Sequence, residues 1–122
     1  MAAAAQNALP GDALYAVKTA IEDVRLAISP DNASKAQLHL AFARTRVDEI
    51  AALAAKGQYS DIPQTVVAFE SQVQAAALTV SAVAEEDTAQ GVALARRAER
   101  DLSDYTGALA VLRGPALKRL GL

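Results

Sequence analysis

Ile62, Val66, Phe69, Val73, Ala76, Val80 and Val83 follow one another at steps of four and three residues. That spacing lays one apolar stripe along a helix packed at a shallow angle on its neighbours. Three further segments carry similar stripes: Leu14, Val17, Ile21, Val24 and Ile28; Ala36, Leu40, Ala43, Val47, Ile50 and Ala54; and Ala95, Ala98, Leu102, Tyr105, Leu109 and Leu112. Each is expected to face a common core. The fold class is therefore all-α, an antiparallel bundle of about four helices with short loops.

Local signals place the boundaries. Residues 1–11 read as a tail and turn, and 12–122 as a single helical bundle domain. Pro10-Gly11 turns the chain, and Asp12 is the expected N-cap of a first helix running to Ile28. Ser29 followed by Pro30 predicts the N-cap and first position of a second helix, which ends at Lys56 before Gly57. Ser60, Asp61 and Pro63 restart the chain as a third helix ending near Glu85, and Asp87 or Thr88 caps a fourth. Gly91 and Gly107 are expected to be close-approach points or bends in that helix. Gly114-Pro115 is expected to end it, leaving Ala116 to Leu122 as a short amphipathic piece.

Composition narrows the range of functions. The chain has 122 residues, enough for one domain with its own core. Its hydrophobic fraction is 52%, but alanine makes up about a quarter of all residues and aromatics only 4%, so large anchors are few. A net charge of −2 argues against a nucleic-acid partner, which calls for a basic face. With no cysteine, disulfides and thiolate metal sites are excluded. No uninterrupted run of about 18 apolar residues stands out, so no membrane span is expected within the chain.

Few residues suggest chemistry. His39 is the only histidine, with Lys35 and Ala43 four residues to either side, and reads as a surface or half-buried residue. Glu85, Glu86 and Asp87 read as a solvated turn whose last acid caps the next helix. Arg96, Arg97 and Arg100 are interleaved with Glu99, Asp101 and Asp104, the pattern of a compensated solvent face. Arg113, Lys118 and Arg119, with Leu117 and Leu120, form a weakly basic amphipathic end suited to a membrane surface or an acidic partner. No phosphate-binding loop, nucleophile elbow or zinc motif occurs. The expectation is a protein that is not an enzyme and uses no cofactor and no metal.

One motif is specific. Leu9-Pro10-Gly11-Asp12, Leu14-Tyr15 and Lys18 are followed by a longer helix with Ala36, His39-Leu40 and Arg46. This resembles the bacterial family catalogued as domain of unknown function 5667, whose opening reads Leu-Pro-Gly-Asp-x-Leu-Tyr-x-x-Lys. The resemblance is carried by residues 8–56, with Ala13 and Ala16 standing where the family often has proline. It implies an extracytoplasmic segment following a single membrane helix, in some members within proteins that look like anti-sigma factors. It carries over no activity and no ligand. The alanine-rich start at Ala2 to Ala8 would then be the exit from a span upstream of this chain, and membrane contact would run only through that segment. A protein partner or self-association is the expected mode of action, and Leu9 to Tyr15 is expected to be structural, packed on the bundle without lining a pocket. The alternative is a cytoplasmic helical scaffold or adaptor that binds a partner helix.

Overall fold

The structure, a computed structural model, describes residues 5–119. From Tyr15 on, the described residues form four α-helices and no strand: α1 (Tyr15–Ala27), α2 (Asn32–Lys56), α3 (Ile62–Glu86) and α4 (Thr88–Arg119). A short 3-10 turn, Tyr59–Asp61, leads into α3. The all-α bundle expected from the stripes is present.

Helices α2, α3 and α4 form the body. Ala36, Val80, Val83 and Leu94 make one buried cluster, and Ala43, Val47 and Tyr105 a second, with Phe69, Val73, Leu102 and Leu109 against it. These are largely the stripe positions of three helices. The Phe69 and Tyr105 rings meet edge to face at 6.2 Å, and the Tyr105 hydroxyl donates to the Leu40 carbonyl at 3.0 Å. Burial pushes that hydroxyl above the ordinary tyrosine range. Gly91 is the close approach of α3 and α4, since a Cβ there would lie 2.4 Å from Ala84 Cα. Gly107 is not one, with nothing within 4 Å of its Cβ position.

Helix α1 departs from expectation. Among the helices its backbone approaches only α2. Its heptad stripe points away from the bundle: Leu14 is 41% exposed, Val17 45%, Ile21 36%, Val24 57% and Ile28 75%. The side turned to the bundle carries Lys18 and Glu22, both buried. Correspondingly, α2 has a second buried face, Phe42, Arg46, Glu49 and Leu53, beside its core stripe.

The caps differ in instructive ways. Asp12 does not cap α1. Its carboxylate accepts the Leu9 N–H at 2.8 Å, closing the Leu9–Asp12 turn, and Leu14 is the N-cap without a side-chain bond. Ser29 does not cap α2. Asp31, in extended backbone, accepts the Ser34 N–H at 2.7 Å and is thereby held below the usual aspartate range, while Ser29 Oγ is buried without a partner. Pro30 therefore stands before the cap and not at the first helical position. Gly57, at φ +74°, ends α2 as expected, and Asp87 caps α4 by accepting the Gln90 N–H at 3.1 Å.

Residues 5–10 lead into the opening turn with Ala5, Ala8, Leu9 and Pro10 buried. One terminal expectation is corrected. Helix α4 runs through Gly114-Pro115 and does not end there. The basic side chains expected at Arg113 to Leu120 lie outside the described residues. Against the expectation of no span, Tyr59–Glu86 is long and apolar enough to cross a membrane by length and composition, with a mean hydropathy of 1.3 over 18 residues. In the bundle one side of it packs on α2 and α4.

Candidate functional site

The groups capable of chemistry converge between α1 and α2. Lys18 and Glu22 stand one turn apart on α1, and Arg46 and Glu49 one turn apart on α2. Arg46 grips Glu22 with both ends of its fork, Nη1 to Oε1 at 3.0 Å and Nη2 to Oε2 at 2.6 Å. Its Nη2 also donates to Glu49 Oε2 at 3.0 Å. Its Nε lies 3.0 Å from Glu49 Oε1, close enough for charge attraction but not aligned as a hydrogen bond. Lys18 Nζ pairs with Glu49 Oε2 at 2.6 Å and donates to the Ala8 carbonyl at 3.0 Å. The Tyr15 hydroxyl donates to Glu49 Oε1 at 2.8 Å.

Two cations meet two carboxylates, so the buried cluster is neutral as a whole. Both cations also sit against the Tyr15 ring, Lys18 Nζ at 5.8 Å and Arg46 Cζ at 5.7 Å from its centre. Burial, reinforced by the bond to Glu49, pushes the Tyr15 hydroxyl far above the ordinary tyrosine range. Burial likewise raises the Glu22 carboxyl, with the Arg46 charge and hydrogen bonds opposing it. A cluster satisfied in this way is a fastening: each charge removed from water is compensated by partners that other elements supply.

The sequence motif now has an address. Leu9 and Pro10 are buried under the turn, Gly11 takes φ +96°, which favours glycine, and Asp12 closes the turn from an exposed position. Tyr15 and Lys18 enter the cluster, whereas Leu14 joins the outward stripe. Pro10 and Tyr15 also border a shallow hollow of about 310 Å³ with Gln64, Thr65 and Ala68. The segment thus lines a surface hollow as well as packing on the bundle. A larger hollow of about 510 Å³ lies beside the cluster between α1 and α2, bordered by Lys18, Glu22, Arg25 and Phe42, and Arg25 stacks 5.6 Å over the Phe42 ring.

Arg46 stands in the second-helix pattern that carries the family resemblance, which assigns it no role, and Glu22 and Glu49 belong to no motif that marks them as site residues. The available signal is the 4-3-4 spacing of Phe42, Arg46, Glu49 and Leu53, a second stripe on α2 holding one charge of each sign. His39, Glu86 and Arg97 lie outside the cluster and have partners of their own. His39, half-buried, is bonded through Nδ1 to Gln72 Oε1 at 2.8 Å. Glu86 accepts from Asn32 at 2.7 Å, and Arg97 faces Asp101 at 3.8 Å in a largely exposed pair. Among the described residues no group of three or more histidines, cysteines or acids converges as a metal site would require.

A helical bundle whose opening segment and first helix are fastened by buried charges is the class of module that these features define. The chain belongs to the family described as domain of unknown function (DUF5667), which matches residues 7–101. The match runs through α3 into α4, well beyond residues 8–56, where the motif carries the resemblance. No curated protein and no solved structure matches the chain.

Proposed function

We propose that this protein is a non-catalytic interaction or sensor module on the extracytoplasmic side of a membrane-anchored bacterial regulator. The observation that carries the reading is the inverted first helix. Its Tyr15, Lys18 and Glu22 are consumed in a buried fastening, and its apolar stripe is offered to the outside. A helix spends apolar surface this way when the surface has a partner. The resemblance supports the location, because the opening motif implies a segment that follows a membrane helix. The alternative, a cytoplasmic adaptor for a partner helix, draws on the same outward stripe.

A reporter fusion to the natural full-length gene product separates the two. Alkaline phosphatase joined after the bundle is expected to be active in cells, as it is only outside the cytoplasm. An inactive phosphatase together with a fluorescent green-fluorescent-protein fusion at the same point would reject the extracytoplasmic reading and leave the adaptor.

A further inference from the structure

We infer that the outward face of α1 docks on the same face of a second copy of this chain, forming a two-fold helix pair. The inference deepens the interaction-module reading and rests on it.

The pattern of the face specifies a helix as its occupant. Leu14, Val17, Ile21, Val24 and Ile28 keep the strict three-and-four alternation of a coiled-coil seam, four steps without a miss. One flank of that seam is Ala13, Ala20 and Ala27, at intervals of seven and all exposed. Side chains this small let a second helix approach at the close end of the usual 8–10 Å axial spacing. A lipid surface is a poor match, since helices that lie on membranes rim their apolar face with lysine and arginine. Here one rim offers Arg25, already stacked on Phe42, and the far side Asp23.

Charge and symmetry select a second copy. The seam carries no charge across its width, so it is complementary to itself and opposes no like charges when two copies meet. A partner chosen by charge would need a patterned rim, and beside its stripe α1 exposes one charge of each sign, Arg25 and Asp23. Even with every exposed atom of the five stripe residues covered, two copies stay below the roughly 1,200 Å² of stable interfaces, so the pairing belongs to the weak, concentration-dependent class. A closed two-fold contact uses the same patch on both partners, so no apolar seam is left over. The buried fastening explains how α1 can give this face away: paired charges hold it to α2, leaving the stripe free.

Sedimentation equilibrium on the whole chain tests the pairing. The mass is expected to rise with concentration from 12.7 kDa towards twice that value, and Ile21→Lys is expected to stay at the monomer mass with unchanged helix content by circular dichroism. The cysteine-free sequence supplies a second readout. Ile21 lies at the middle of the seam and meets its own counterpart across a two-fold axis. Ile21→Cys is therefore expected to oxidise to a linked dimer at least tenfold faster than Leu78→Cys, whose site on α3 is 74% exposed. A wild-type monomer at every concentration, a dimer that survives Ile21→Lys, or equal oxidation rates would overturn the inference. Flotation of the wild type, but not of Ile21→Lys, on phosphatidylglycerol vesicles would overturn it in favour of a lipid occupant. The location of the module stands or falls on the phosphatase fusion, independently of these results.

Discussion

Arg46 on α2 holds both carboxylate oxygens of Glu22 on α1, at 3.0 and 2.6 Å, across 24 residues of sequence. Replacing Arg46 with methionine would keep the side chain long and leave Glu22 buried without its cation. The expected loss is about 3–5 kcal/mol, because an uncompensated buried charge costs far more than the pair contributes. Tyr15→Phe removes a single donor to Glu49 and is expected to cost about 1–2 kcal/mol. Urea unfolding of the two variants checks the order.

The pH dependence follows from Glu22. Its carboxyl is raised above the ordinary 4.5, so the folded chain binds this proton more readily than the unfolded chain. Stability from this group therefore rises as pH falls through its folded pKa towards 4.5, and is lower above that window. Wild type is expected to gain on Glu22→Gln as pH is lowered from 7 to 4.5 in paired urea titrations. Asp31 works in the opposite sense. Its contribution is present above the ordinary 3.8 and is lost as pH falls through its lowered folded value.

How much of the fold and site is legible in the sequence depends on the helix. For α3 and α4 the apolar stripe is largely the buried face and periodicity locates it, whereas on α2 it locates the face toward α3 and α4 and misses the second buried face at Phe42, Arg46, Glu49 and Leu53. For α1 the same periodicity identifies a stripe and says nothing about which way it faces. Orientation there is set by Lys18 and Glu22 meeting Arg46 and Glu49, contacts 24 to 31 residues apart that no local pattern reports. The caps escape a local reading for a related reason. Asp12 and Ser29 are suitable residue types, but Asp12 closes the preceding turn and Asp31 supplies a carboxylate two residues after Ser29.

The aromatic rings rank by burial and not by their place in a stripe. Phe42 is 2% exposed, whereas Phe69, in the middle of the α3 seam, is half-buried. Phe42→Ala is expected to cost about 3–5 kcal/mol and Phe69→Ala about 2 kcal/mol. His39→Ala, which loses one side-chain bond, is expected to cost under about 1 kcal/mol. Thermal or urea unfolding of the three variants gives the ranking directly.

Two glycines on one helix should respond with opposite signs. Gly91→Ala forces a methyl into the Ala84 backbone and is expected to destabilise by about 1–3 kcal/mol. Gly107→Ala meets nothing within 4 Å and is expected to stabilise by about 0.5–1 kcal/mol, by removing backbone freedom from the unfolded chain. Equal effects at the two sites would place the α3–α4 contact elsewhere.

The central claim is that paired charges, and not the apolar stripe, fasten α1 to the bundle. A double-mutant cycle on Glu22→Gln and Arg46→Met, run with Ile21→Ser and Val24→Ser at concentrations dilute enough to keep the chain monomeric, tests it most directly. The expected result is an interaction energy of about 2 kcal/mol or more between Glu22 and Arg46, and changes of about 1 kcal/mol or less for the two stripe substitutions, Ile21 being partly buried. A Glu22–Arg46 interaction near zero, with each stripe substitution costing more than about 2 kcal/mol, would mean that α1 buries its apolar face and would contradict the claim.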